Sequence, residues 1–139
     1  MKNIDQRTTF KNVSKFLKST INNLLNLTGM HKADLKQPIS NDLSNVNKDD
    51  PALKEYFYYA SVLNCVQKAL DNMTEPCKQI LIKRYLDDLT SERVALSINL
   101  SATSVDRYSS HGAVEFAQRF IYYQQINHVT PLIDLVAYK

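Results

Sequence analysis

The stretch 89–120, LTSERVALSINLSATSVDRYSSHGAVEFAQRF, constrains the fold more than any other part of the chain. It predicts a short helix, a tight turn and a longer helix. Thr90 is a good N-cap, since its hydroxyl can accept from a free first-turn N–H, and Val94, Ala95 and Ile98 follow at one-face spacing. Asn99 tolerates the left-handed backbone that stops a helix and turns the chain. Ser101 then caps a second helix that carries Val105, Tyr108 and Gly112 inward. Two helices joined by a turn of about three to four residues make a helix-turn-helix unit, and equally a plain helical hairpin in an all-α core. Spacing leaves both open.

Upstream, Phe10, Val13, Leu17, Ile21, Leu24 and Leu25 recur at helical spacing over residues 5–27, and Gly29 is the stop signal. Lys2, Arg7, Lys11, Lys15 and Lys18 accompany this N-terminal amphipathic helix (1–29), either as a solvated face or as a basic surface for phosphates or an acidic protein. Residues 30–50 are polar and aperiodic and read as a linker or long surface loop, in which His31 has no partner that would make it a ligand. Asp50-Pro51 predicts a helix start, with Leu53, Phe57, Ala60, Leu63, Val66, Gln67 and Leu70 along one side down to Asn72. Tyr56, Tyr58 and Tyr59 spread rings round its first turns, as core or interface packing or as platforms for unpaired bases.

Thr74-Glu75-Pro76 predicts the next start, with Cys77, Ile80, Leu81 and Tyr85 inward and Lys78, Lys83 and Arg84 toward water. Asp87-Asp88 ends that helix. The helix after Ser101 is expected to reach about Gln125, with a stripe of Val114, Ala117 and Ile121. A helical domain over 51–126, holding the helix-turn-helix at 90–120, is thus followed by an apolar segment, 127–139, that either forms a homodimer contact or folds back on the first helix.

Composition narrows the classes. Two Gly, four Pro and no alternating strand runs in 139 residues predict an all-α protein. No apolar run reaches the ~18 residues of a membrane span and no signal-peptide core is present, so the expected address is cytoplasmic, with no membrane partner. Cys65 and Cys77 lack metal-ligand spacing and read as buried free thiols. Net charge is +3 and lies in residues 1–50, with eight basic and five acidic side chains, whereas 74–126 is neutral, with Lys78, Lys83, Arg84, Arg93, Arg107 and Arg119 against Glu75, Asp87, Asp88, Glu92, Asp106 and Glu115. That is a weak electrostatic footprint for a nucleic-acid binder. No Gly-rich phosphate loop, HExxH, CxxC or nucleophile elbow occurs, and His111, near Tyr108 and Glu115, has no third member for a triad. The expectation is no catalysis, no cofactor and no metal.

The run Leu70 to Phe120 resembles the fourth conserved region of bacterial sigma factors, through KRYLDDLT before the first helix of the unit, ERVA within it and INLSATSV across the turn. In layout the whole chain resembles the ArpU-type transcriptional regulators of phages and prophages. Asp106 departs from the pattern as an acid on the reading helix, and Asn99 stands where the family often has glycine. The resemblance implies a helical arm plus a sigma region-4-like helix-turn-helix bundle. It implies double-stranded DNA as partner, with the helix from Ser101 in the major groove, in a bacterial host cell. RNA polymerase is a further implied partner.

Site residues follow from that docking. Arg84 matches the position of an arginine against a phosphate, and Thr90, Ser91 and Arg93 sit where the flanking backbone would run. Ser101 opens the reading helix, and Ala102, Thr103, Asp106, Arg107 and Ser110 form its outward set. Arg107 suits bidentate recognition of guanine, Thr103 a thymine methyl or phosphate, and Ala102 apolar contact. Asp106 can accept from cytosine or hold Arg107 in one rotamer. Two function classes stand: an activator of late (packaging or lysis) genes, or an interaction protein that binds RNA polymerase or a sigma factor with little DNA specificity of its own.

Overall fold

The computed structural model describes residues 3–39 and 49–139. They are all-α, with six α-helices and a single isolated bridge between Ile4 and Tyr138. Helix α1 (Gln6–Lys15) starts at Asp5, whose carboxylate accepts from the Thr8 N–H at 3.0 Å and the Thr8 hydroxyl at 2.9 Å. A π-helical turn, Phe16–Thr20, carries it into α2 (Ile21–Thr28), and Gly29 stops the run in the left-handed region at φ 72°. The expected stripe is realised: Val13, Leu17, Ile21, Leu24 and Leu25 are buried and Phe10 is half-buried.

Two expectations for the middle of the chain change. Residues 30–39 are not open linker: a 3₁₀ turn, Lys32–Lys36, sinks Leu35 into the core beside Met30, and the His31 N–H donates to the Asp34 carboxylate at 2.8 Å. The 40–48 part of that linker lies outside the described residues. Helix α3 (Lys54–Asp71) begins after, not at, Asp50-Pro51. The Asp50 carboxylate accepts from the Ala52 N–H and its carbonyl from the Leu53 N–H, closing a turn before the helix sets in. Helix α3 buries its expected side except Leu53, which is half-buried ahead of the helix, and also buries Val62, Cys65 and Ala69, because α2 and α6 pack against it from different directions.

Helix α4 (Cys77–Leu81), continued by a π-helical turn Ile82–Leu86, starts two residues later than a Thr74 cap would place it. Thr74 bonds across the fold instead: its N–H and hydroxyl both donate to Glu115, at 3.0 and 2.9 Å. Burial pushes the Glu115 carboxyl up, but those two bonds and the Arg119 guanidinium outweigh it and leave the pKa below the ordinary 4.5.

Helix α5 (Ser91–Ile98) and the long α6 (Ala102–Ile126) complete the set. The buried side of α6 is Val105, Ser109, Gly112, Ala113, Phe116, Ala117, Phe120 and Gln124; of the expected Val114–Ala117–Ile121 stripe it includes Ala117 alone. A helix repeat counted from Val105 passes through Gly112, where α4 comes so close that a Cβ would lie 2.9 Å from Leu81 Cδ1 and 3.0 Å from Cys77 Cβ. Val114 and Ile121 flank that face, half-buried.

The first helix is no detached arm. Phe16 meets Phe120 at a 5.3 Å ring separation, and Val13 to Leu25 share one hydrophobic core with α3 and α6. Each fully buried side chain of this size contributes ~1.5–3 kcal/mol. Residues 127–139 also fold back on this chain. The Asp5 N–H donates to Ala137 O at 2.8 Å, the Ala137 N–H to Thr9 Oγ1 at 2.9 Å, and the Lys139 N–H to Asn3 O at 2.9 Å. The buried Gln124 amide holds the same segment, donating to Ile133 O at 2.8 Å and accepting from Ile133 N at 2.9 Å. No described helix is long and apolar enough to cross a membrane.

Candidate nucleic-acid interface

Helices α4, α5 and α6 share a second, smaller core of Ile80, Val94, Ala95 and Val105, edged by Ile98, Leu100 and Tyr108. The turn between α5 and α6 follows its sequence. Thr90 Oγ1 accepts from the Arg93 N–H at 3.2 Å, Asn99 takes φ 60° and ψ 47°, and Ser101 Oγ accepts from the Ser104 N–H at 3.1 Å. With Val105 anchored in the small core, the first turns of α6 are fixed to α5 and turn Thr103, Asp106 and Arg107 to solvent. Ala102 and Ser110 are half-buried, and the Ser110 hydroxyl donates back to Asp106 O at 3.3 Å.

The polar groups on this face divide into two sets. Asp106 Oδ1 accepts from the Ser91 hydroxyl at 2.9 Å and lies 4.0 Å from Arg84 Nη1, so it ties the start of α6 to α5 and to the turn after α4. It does not hold Arg107, which lies over its neighbour Tyr108 at 5.3 Å from the ring centre. Arg84 is not turned to water. Its side chain is 17% exposed, donates to Ser109 Oγ at 2.8 Å and stacks on Tyr85 at 5.7 Å. Ser109 in turn donates to Val105 O at 2.8 Å. The second set, Thr103, Arg107 and Arg93, is exposed and lies outside this network.

Charge balance also changes in three dimensions. Asp88 pairs with Lys32 at 2.9 Å and Asp87 with Lys36, two lysines from the 3₁₀ turn outside the balanced 74–126 window. Asp106 faces Arg84, whereas Glu92, Arg93 and Arg107 are exposed and make no ion pair among the described residues. Asp87 and Asp88 are thus offset by lysines from outside that window, which leaves Arg93 and Arg107 facing only Glu92 as an unpaired acid on α5.

Beside Arg107 lies a feature the motif reading did not anticipate. A groove of about 510 Å³ opens between the start of α1 and α6, lined by Asp5, Arg7, Phe10, Arg107, His111 and Lys139, among others. Gln6 Nε2 and His111 Nδ1 are 3.4 Å apart across it. Arg7 was legible only as one lysine-like charge in a stripe, because its neighbour Arg107 is a hundred residues away. Ser109 was missed for a different reason: a buried serine that bonds its own helix carries no sequence signature.

Residues 63–112 match the family described as Sigma-70, region 4. The match runs from the middle of α3, through α4 and α5, to Gly112 on α6, and so includes α5, the turn and the first turns of α6. A sigma-70 region 4 domain is present in this chain. No curated protein and no solved structure matches the chain.

Proposed function

We propose that this protein is a DNA-binding transcription regulator that reads promoter duplex with α6. Sigma region 4 domains bind DNA and RNA polymerase, which brings both partners into consideration. The observation that carries the DNA reading is the division of polar groups on one face. Arg84, Ser91, Asp106 and Ser109 are engaged in holding α6, which leaves Thr103 and Arg107 free at its first exposed turns. Those turns are where docked helix-turn-helix units reach base edges, and an arginine there can donate two bonds to guanine. Arg93, at the start of α5, is exposed and suited to the flanking phosphates. No catalytic step belongs to this reading.

At the finer level, the ArpU-like layout supports an activator of late phage or prophage genes. The test is a salt series of binding to DNA upstream of the chain's own operon, against a scrambled duplex. Selective binding that weakens log-linearly with salt is the expected result; equal, weak binding to both duplexes overturns it. One observation favours RNA polymerase or a sigma factor as partner: Leu96, a large apolar side chain on α5, is 84% exposed. In that reading Leu96→Ser abolishes polymerase capture and leaves DNA binding unchanged.

A further inference from the structure

The face of α1 that looks away from the core carries Arg7, Lys11, Lys15 and, within the π turn that follows, Lys18, all exposed. Their spacing of four, four and three residues puts them along one side of the helix over roughly 16 Å. None has a carboxylate partner among the described residues, whereas Lys32, Lys36, Lys78, Arg84 and Arg119 are each paired. Like charges at this spacing repel, at a cost of a few tenths of a kcal/mol per pair, so the row is a standing concentration of positive potential. The charged groups facing it from packed elements are few. Asp5, at its head, has both carboxylate oxygens engaged by Thr8. Lys18 lies 5.9 Å over the Tyr85 ring, the same ring on which Arg84 stacks. At the other end Arg7 and Arg107 line one groove.

We propose that this row is a second DNA-contact surface, which engages the phosphates flanking the base pairs read by α6. The inference rests on the DNA-binding reading above and adds to it a footprint. Charge complementarity selects the occupant, and continuity through Arg107 selects its location: one polyanion can lie against both surfaces without a gap. Rigid placement supports the assignment as well. The Phe16–Phe120 contact and the shared core fix α1 to the reading helix, so the cations are preorganised at a set distance from the groove that α6 enters. At one phosphate per ~3.4 Å of axis on each strand, a row of this length meets up to about four phosphates. An acidic protein surface is the competing occupant.

The experiment uses the full chain and a 30-base-pair duplex enriched by it from a random-sequence pool. Binding of the wild type and of the quadruple variant Arg7→Gln/Lys11→Gln/Lys15→Gln/Lys18→Gln is titrated from about 50 to 300 mM salt, with a scrambled duplex as reference. Each lost phosphate contact flattens the log–log slope by ~0.9, so the expected slope is less negative by about two to three, with the preference over scrambled DNA unchanged. A variant slope equal to the wild-type slope overturns the inference while leaving the DNA reading intact, and loss of polymerase capture in its place assigns the row to a protein surface. Failure of the wild type to enrich any duplex is instead the failure of the DNA reading itself. The Arg7→Gln/Lys11→Gln pair, expected to flatten the slope by about one to two, gives the same decision should the quadruple variant lose its helical circular dichroism.

Discussion

Arg84→Ala tests the division between arginines that hold the reading helix and arginines that read. Arg84 donates to Ser109 at 2.8 Å from a side chain that is 17% exposed. A charged donor in such a bond contributes ~1.5–3 kcal/mol. Its pair with Asp106 is long, at 4.0 Å, and Asp106 is 65% exposed, so screening holds that part to a few tenths of a kcal/mol. Stacking on Tyr85 adds ~0.5–1 kcal/mol. These parts share one side chain and do not add fully; a loss of about 2 kcal/mol is the working figure. At a urea m-value of ~2 kcal/mol/M, typical of a chain this size, the unfolding midpoint falls by about 1 M. Arg107→Ala, at an exposed position, shifts the midpoint by less than about 0.3 M. Urea unfolding followed by circular dichroism reads both. An Arg84→Ala midpoint equal to wild type, together with a DNA salt slope flatter by about 0.9, would refute the reasoning, because Arg84 would then be a free phosphate contact.

Other perturbations follow from the same geometry. Asn99→Ala puts a β-carbon without a compensating side-chain amide at φ 60°, and is expected to lower stability by about 1 kcal/mol, whereas Asn99→Gly is neutral or stabilising; matched urea midpoints for the two would contradict the left-handed turn. Burial pushes the Cys65 thiol up to about 11, so in native protein at pH 8 an aromatic disulfide reagent should label Cys77 first and Cys65 only on unfolding; fast labelling of Cys65→Ser's counterpart, the Cys77→Ser variant, would count against the packing of α3. The Glu115 carboxyl is held below its ordinary 4.5 in the fold, so its stabilisation is complete above that value and is lost as pH falls through the lower folded value. Glu115→Gln should therefore flatten the decline in urea midpoint between pH 6 and pH 3.5, and an unchanged decline would remove the Thr74–Glu115 clamp from the account.

Local signals were the legible part of this fold. Caps at Thr90 and Ser101, the stop at Gly29 and the left-handed Asn99 depend on one residue and its immediate chain neighbours, and each stands in the structure where its chemistry puts it. Signals that compete with tertiary bonds misled. Thr74 has the makings of a cap, yet Glu115, forty-one residues on, offers its hydroxyl and N–H a charged acceptor and wins. Asp50 likewise spends its carboxylate on a turn before α3 rather than on the helix itself. The phase of α6 was misjudged downstream because two partners, α4 at Gly112 and the π-helical turn after α1 at Phe120, decide which face is buried, and neither is encoded within α6. In the candidate interface, the outward reach of Arg107 was readable from helical phase. The inward turn of Arg84 was not, since it depends on Ser109 lying beside the π-helical turn.

The most direct test of the central claim compares wild type and Arg107→Ala on the enriched duplex and on its scrambled partner, at one salt concentration. Loss of a bidentate arginine contact removes ~1–3 kcal/mol of discrimination, so the preference for the enriched duplex is expected to fall roughly five- to 150-fold, with the urea midpoint within about 0.3 M of wild type. An undiminished preference in a folded Arg107→Ala protein would contradict the assignment of α6 as the helix that reads DNA.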